Sequence, residues 1–440
     1  MGKKIVVAGM GHGGIAVASI LAKEGYDVTV YEKMSEGTLG YDWTDIFDPK
    51  SLAVAGIPMP SEDKYKIKEN MSFCGPCGNN MIKQSVPENK KEIKMERKDI
   101  YTHLINHGLS CGVKLVYDCE VYGPIMDGDR VIGIKTEKGD VFGDLIIDAC
   151  GCNSPVRCNL PRRLGVEGAI DNTQKILIYR AFYNKASDEP TDDVFKIILY
   201  AGGKPGINWV AAEEEYTDVL IGRFEEFDID DVEATVKNLM KTNPRLGSER
   251  VRGGQFVEIP IRHTLSVPVA DGYAAIGDSA FMPVPLIGSG MANAFRASRI
   301  LADTIIADTD GKYTVDKLWD YAAKYHKELG AGLATLECVR STLLQLKPQD
   351  VEFVFESNIV NSKDLTLFTN INDIKELLAL SPKDLIDKFR KALRNKYLIG
   401  KLCVAGVNMA KIMYLAAKMP EKWDKEKVFA WSKKYDKAFK

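Results

Sequence analysis

The run Gly9-Met10-Gly11-His12-Gly13-Gly14 follows the apolar stretch Ile5-Val6-Val7-Ala8. It opens a segment whose Ile15, Ala18, Ile20, Leu21 and Ala22 fall on one helical face. Glycines at these spacings suit a bound pyrophosphate. Gly9 permits the tight turn, Gly11 lets the backbone approach the phosphates, and Gly14 lets helix and strand pack closely, while the helix N-terminus faces the negative charge. His12 and Gly13 complete the turn, and His12 is expected to sit there without a catalytic part. Val28-Thr29-Val30-Tyr31 reads as a second strand closed by Glu32, whose carboxylate can accept hydrogen bonds from ribose hydroxyls; Lys33 beside it joins the expected cofactor set. An ordinary glycine turn with a surface acid is the plainer alternative, and the complete strand–turn–helix–strand order favours a dinucleotide site. That order does not choose between NAD and FAD.

A second constellation makes the choice. Asp271-Gly272-Tyr273-Ala274-Ala275-Ile276-Gly277-Asp278 is a short strand ending in Gly-Asp, followed by Pro283-Val284-Pro285-Leu286-Ile287-Gly288-Ser289-Gly290-Met291 and a helix over 292–303. In this the chain resembles the FAD-binding superfamily of p-hydroxybenzoate hydroxylase and geranylgeranyl reductase. The resemblance implies that Gly277 and Asp278 hold the ribityl chain of FAD. It also implies that the helix end at Gly288, Gly290 and Met291 faces the flavin pyrimidine edge, where its dipole would stabilise reduced flavin. Met95-Glu96-Arg97 before a helix and Glu120-Val121 after the next strand match the superfamily positions that contact the cofactor and pair with adenine, which nominates Arg97 and Val121. The stretch from Asp144 to Arg157 resembles the middle motif of the superfamily, except that Cys150 stands where the hydroxylases carry an Asp. That departure weakens a monooxygenase reading.

Three further stretches resemble the geranylgeranyl reductase-like branch: Ser72–Gly78 with its Cys-Gly, Lys204–Val210 with its Pro-Gly-x-x-Trp, and Gly253–Pro260. Ala211 and Ala212 depart from the branch in the region of its substrate cavity, so the lipid substrate does not transfer with the fold. Cys74-Gly75-Pro76-Cys77 is also a C-x-x-C. It could bind metal with Cys150 and Cys152, exchange disulfides, pack as reduced thiols, or stand near the flavin. By the resemblance, Cys74, with Cys77 in reserve, is expected beside the flavin ring as the catalytic proton donor or substrate-positioning thiol. No metal is expected, since the five histidines show no ligand spacing; His103 and His107 lie four apart on a helix without supporting acids. Neither a P-loop nor a hydrolase nucleophile elbow occurs.

The elements that must position these residues read as α/β: a Rossmann-type FAD-binding domain over 1–157 and 271–308, an inserted antiparallel β-sheet substrate domain over 158–270, and a helical C-terminal region over 309–440. Strands are expected at Lys114–Val116, Val131–Thr136, Leu145–Asp148, Lys175–Tyr183, Phe195–Tyr200, Trp209–Ala212 and Val219–Phe224, and helices over 98–110 and 232–241. Residues 35–95 read as irregular, and an excursion of that length is usually functional. The absence of a second G-x-G-x-x-G disfavours a separate NAD(P)H domain.

The chain has 440 residues, 45% hydrophobic and 27% charged, with net charge −2 and no aromatics interleaved with basic clusters, which suits a globular protein and does not suggest a nucleic-acid partner. Met1–Lys4 lead straight into the first strand, so no targeting segment is expected; nine scattered cysteines read as reduced, and the location as cytoplasmic. Tyr397–Met419 is apolar but interrupted by Lys401, Asn408 and Lys411. It is expected to be a packed helix in preference to one lying on a membrane. The leading function is a reductase in which reduced FAD passes a hydride to a double bond in an apolar pocket. Its electrons would come from an external donor, NAD(P)H or a ferredoxin-like carrier. A flavin monooxygenase and a non-catalytic electron relay are the alternatives.

Overall fold

Ile5, Val6, Val7 and Ala8 are wholly buried, as a strand covered on both faces requires. Lys4–Ala8 accordingly lies inside a six-stranded sheet. The computed structural model describes residues 3–188, 194–369 and 382–439. The sheet runs Val269–Ala270, Tyr273–Ala275, Leu145–Asp148, Lys4–Ala8, Asp27–Tyr31, Lys114–Val116, parallel except for its first pair. Helix His12–Lys23 packs against it, and Arg97–Ser110 and Met291–Ala307 pack on that helix. The strands at Lys114–Val116 and Leu145–Asp148 fall where their apolar patterns place them.

The second sheet has seven strands. Leu246–Pro260, Lys175–Lys185, Thr217–Arg223, Gly206–Ala212 and Phe195–Leu199 are antiparallel neighbours, and Ser72–Cys74 and Ile82–Lys83 extend the edge beyond Phe195–Leu199. The excursion read as irregular therefore supplies two edge strands of the sheet expected only from 158–270. It also supplies Thr44–Phe47, Tyr65–Ile67 and Ile93–Glu96, which form a separate three-stranded sheet. Leu246–Pro260 is a 15-residue strand that the sequence pattern did not reveal; Gly253 and Gly254 sit in it at φ +74° and +95°, where its register with Lys175–Lys185 shifts.

Alternation divides the large sheet into two faces. Tyr179, Ala181, Val210, Val219, Ile221 and Ile198 pack beneath the helix Ile229–Met240 through its Val232, Val236 and Leu239. Ile178, Arg180, Ile197, Ile207, Trp209 and Leu220 point the other way, into the cavity shared with the parallel sheet. Beyond Ala307 the described chain is helical to its end. One π-helical turn at His326–Gly330 joins Val315–Tyr325 to Ala331–Leu343, and Lys396–Ala416 packs along Ala331–Leu343. The part of the helical expectation on 370–381 lies outside the described residues.

One carboxylate fastens the loops at the cavity end of the parallel sheet. Asp148 is wholly buried and accepts from the Ser154 hydroxyl (2.6 Å), the Tyr273 hydroxyl (2.8 Å), the Ser279 hydroxyl (3.1 Å) and the Cys150 backbone N–H (3.1 Å). Asp148→Ala strands these four donors. We expect it to lower the unfolding free energy by about 3 kcal/mol or more, since each unsatisfied buried donor costs about 1 kcal/mol or more. Urea denaturation followed by tryptophan fluorescence measures it; a loss below about 1 kcal/mol would show that the loops hold without Asp148.

Candidate active site

The Gly9–Gly14 turn opens on a cavity of about 920 Å³ between the carboxyl ends of the parallel strands and the inner face of the large sheet. This is where open α/β sheets bind ligands. Gly9 adopts φ +87°, and a Cβ there would meet the Ala149 carbonyl oxygen at 2.6 Å. A Cβ on Gly14 would lie 2.7 Å from both the Ala149 Cβ and the Gly9 oxygen, so Gly14 is a packing position and does not line the cavity. Gly11 caps the helix His12–Lys23 without a side-chain hydrogen bond, and a Cβ there meets only the Ala149 oxygen, at 3.2 Å.

A second helix end faces the same cavity. Gly290 caps Met291–Ala307, again without a side-chain bond, and Gly288 at φ +71° shapes the loop before it. Two uncapped helix N-termini on one cavity give two places where anionic or electron-rich groups are favoured. Glu32 lies beyond the first of them; its carboxylate accepts from the backbone N–H groups of Met10 and Met34, both at 2.9 Å. Lys33, Val121 and Gly277 also line the wall.

Arg97 reaches the wall already engaged. Asp45 accepts from its Nε (2.5 Å) and Nη2 (3.0 Å), and the guanidinium lies 4.9 Å from the Tyr41 ring centroid and 5.3 Å from that of Trp43. His12 is stacked on Tyr101 with ring centroids 4.7 Å apart, and burial with nearby Arg97 pushes its imidazole down to about 4, so it is neutral. Its Nε2 and the Trp43 Nε1 are buried polar atoms of this wall with no partner among the described residues. The Asp278 carboxylate likewise makes no hydrogen bond there, and burial pushes it up to about 6 against the pull of Arg97. Unsatisfied polar atoms around a glycine-floored cavity mark a place for a ligand rich in hydroxyls and amides.

Every residue expected to bind the cofactor therefore reaches one cavity, apart from Gly14 behind it. The two thiols expected to do chemistry do not. Phe73 pairs in register with Ile197 and faces the cavity, so the next residue, Cys74, pairs with Ile198 and points to the opposite face, where its Sγ lies 3.5 Å from the Ile197 oxygen. Cys77 is exposed on a loop whose N–H donates to Glu352 Oε2 at 2.9 Å; the same carboxylate raises the thiol. The cavity thiols are instead Cys119, Cys150 and Cys152. Burial holds Cys150 well above its ordinary value and pushes Cys152 up to about 12, which leaves both protonated and weakly acidic. All nine cysteines are outside disulfides, and no metal-binding group of acids, thiols and imidazoles occurs among the described residues.

Sequence reading expected an apolar pocket but did not name the residues of this second arm of the cavity. Ile46, Met71, Phe73, Ile178, Ile207 and Leu220 give it an apolar lining. Two buried charged groups interrupt this: Lys68 with Glu92 at 2.7 Å, and Arg180 with Asp218 at 2.9 and 2.5 Å. These pairs join residues from separate segments; of this arm, Phe73, Ile207 and Trp209, whose ring lies 4.7 Å from Arg180, lay in quoted motifs.

No family model matches the chain. A digeranylgeranylglycerophospholipid reductase of Sulfolobus acidocaldarius is 22% identical over 432 residues, covering 94% of this chain and 93% of the relative. One of Haloferax volcanii is 24% identical over 332 residues, covering 68% and 75%. The fold matches a geranylgeranyl bacteriochlorophyll reductase-like protein from Thermoplasma acidophilum with a TM-score of 0.72 at 16% identity, over 92% of this chain and 99% of that one. It also matches a flavin-dependent brominase with a TM-score of 0.64 at 17% identity, over 90% and 98%. Fold and sequence relatives together define the class as FAD-dependent oxidoreductases. Within that class the chain is similar to the geranylgeranyl reductase-like branch, in sequence and in fold.

The raised Asp278 generates a pH dependence. The unfolded chain loses this proton near pH 4 and the folded chain near 6. Stability from this group is thus present below about pH 4 and is lost as pH rises through about 6. Asp278→Asn should stabilise the cofactor-free protein by about 1–2 kcal/mol at about pH 7.5, after discounting for water in the cavity, and by nothing near pH 4. Paired denaturation curves at the two pH values test it, and an equal effect at both would contradict the assignment.

Proposed function

We propose that the chain holds FAD along the Gly9–Gly14 arm and reduces a carbon–carbon double bond of a polyprenyl lipid lodged in the apolar arm. The observation that carries this reading is that the two arms form one cavity, with the helix end at Gly288–Met291 among its walls. Reduced FAD, when bound, supplies the hydride. The N–H groups of the first turn after Gly11 would bind its pyrophosphate, Glu32 its adenosine ribose, Val121 its adenine, and Asp278 its ribityl hydroxyls. The N–H groups after Gly290 would face the pyrimidine edge, favouring its anionic reduced form. Arg97, fixed by Asp45, would set the Tyr41–Trp43 wall and bring positive charge near the cofactor.

The apolar lining selects a hydrocarbon and excludes water, which keeps the reduced cofactor for the double bond. Each turnover adds two hydrogens, the hydride to one carbon and a proton to its neighbour. Cys74 is turned away, so the proton would not come from that thiol. The relatives named for digeranylgeranylglycerophospholipid support a substrate of this kind. An external carrier must reduce the cofactor between turnovers.

Two measurements test this. Chemically reduced holoprotein, mixed without oxygen with a geranylgeranyl lipid, should reoxidise and yield a product heavier by two hydrogens per reduced bond. A product gaining one oxygen atom in air would identify a monooxygenase instead, and no reaction with any small molecule would favour the electron relay. Separately, Gly11→Val should fold but lose FAD, because its Cβ stands toward the cavity beside a single backbone atom. Gly14→Val should lose fold stability as well, because its Cβ collides with Ala149 and Gly9. Flavin absorbance and thermal unfolding separate the two; FAD retained by Gly11→Val would refute the site.

A further inference from the structure

The helix Lys396–Ala416 is apolar around most of its circumference but covered on one side only. Leu398, Ile412 and Ala416 are buried, in line with its packing on Ala331–Leu343 and Lys425–Lys437. The opposite side carries Val404, Val407 and Tyr414, exposed by 57%, 70% and 64%. The preceding helix, Pro382–Ala392, repeats the pattern with its following turn: Ile386, Phe389 and Leu393, at spacings of three and four, are all at least half exposed. A helix that packs on one side ordinarily turns polar residues outward, so two successive helices that turn large apolar groups outward mark a contact surface.

Charge selects the partner. Residues 382–418 contain nine Lys and Arg against two Asp, whereas the whole chain carries −2. Lys383, Arg390, Arg394, Lys396, Lys411 and Lys418 are exposed. A second copy of this surface would bring like charge against like charge. A nucleic acid would meet the cations but leave the valines and aromatics uncovered. An anionic bilayer meets both: its headgroups pair with the cations, and its acyl boundary takes the apolar side chains. Although 21 residues could span a bilayer, this helix is fixed along one side to Ala331–Leu343 and carries Lys401 and Lys411 within its length.

We propose that the outward faces of Pro382–Ala392 and Lys396–Ala416 seat the protein on an anionic lipid surface, with the helices lying in the interface plane. The surface stands independently of the reaction. If the proposed function holds, it also places the apolar cavity beside the phase in which a polyprenyl lipid is dissolved. It joins the two readings of Tyr397–Met419, a helix packed on one side and lying on a membrane with the other.

The test is co-sedimentation of the full-length holoprotein with vesicles of equimolar phosphatidylglycerol and phosphatidylcholine, and with phosphatidylcholine alone. We expect binding to the mixed vesicles and binding at least about tenfold weaker to the neutral ones. Val404→Glu with Val407→Glu should lower partitioning by about tenfold or more, the loss expected when inserted apolar groups become charged. Lys411→Glu with Lys418→Glu should lower it comparably, and added salt should do the same to the wild type. Both pairs lie on the surface away from the cavity, so flavin content, thermal unfolding and turnover of detergent-dispersed substrate stay unchanged, while turnover of vesicle-embedded substrate falls. Wild-type protein left in the supernatant with both vesicle types, or unaltered binding by the valine pair, overturns the proposal. So does a dimer in sedimentation velocity that the valine substitutions dissolve. Failure of the reductase assay with vesicle binding intact would sink the function and leave the surface standing.

Discussion

The Asp148 carboxylate lies where three segments of chain must meet for there to be a cavity at all. Its own strand brings it to the carboxyl edge of the parallel sheet. Ser154 and the Cys150 N–H bind it from the following loop, Tyr273 from the neighbouring strand, and Ser279 from the turn after Gly277 and Asp278. A buried carboxylate with four donors is satisfied without a cation, so the wall gains rigidity without adding a positive charge there. The Asp278 carboxylate, one residue before Ser279, is held in place by this network yet makes no hydrogen bond among the described residues. A fully bonded acid thus positions an unbonded one, and the cost of leaving Asp278 unpaired falls on a site meant for a ligand.

Arg157 extends the same fastening behind the cavity wall, through the Cys152 carbonyl. Its guanidinium donates to the carbonyls of Cys152, Glu167 and Gly168 and lies 4.4 Å from the Phe281 ring centroid. The chain entering the second sheet is therefore tied to the loop leaving the first. This explains why the middle motif tolerates Cys150 where the hydroxylases have an acid: the conformation rests on Asp148, Ser154 and Arg157, and Cys150 contributes its backbone N–H.

What the sequence made legible was whatever rests on local geometry. Glycines at fixed spacing after a strand disclose a turn and a helix end, because only glycine fits those conformations and close approaches, and the first arm of the cavity lies against them. The second arm depends on strand register, which no local pattern carries. A single position decides that Phe73 faces the cavity and Cys74 does not, and the C-x-x-C spacing says nothing about the sheet edge on which Ser72–Cys74 pairs. Leu246–Pro260 escaped notice for a related reason. Its Arg250, Arg252, Gly253 and Gly254 break the apolar alternation of a strand, and its place beside Lys175–Lys185 holds despite register shifts at those residues.

The charges in the apolar arm pose the remaining physical question, since burying ions is expensive. Their placement answers it. Lys68 and Glu92 pair beside the small three-stranded sheet, and Lys94 on that sheet reaches Asp218 on the large one. Arg180 on the large sheet donates to Asp218 and to Thr44, a residue of the small sheet. Trp43 and Trp209 flank the guanidinium with ring centroids 5.8 and 4.7 Å away. The network thus bolts the two sheets together across the wall of a cavity that must stay open. Apolar side chains could join the sheets only by packing, and packing consumes the space between them. Directional, mutually satisfied ion pairs fix the separation from the wall itself and leave an apolar channel between surfaces that cannot collapse onto each other.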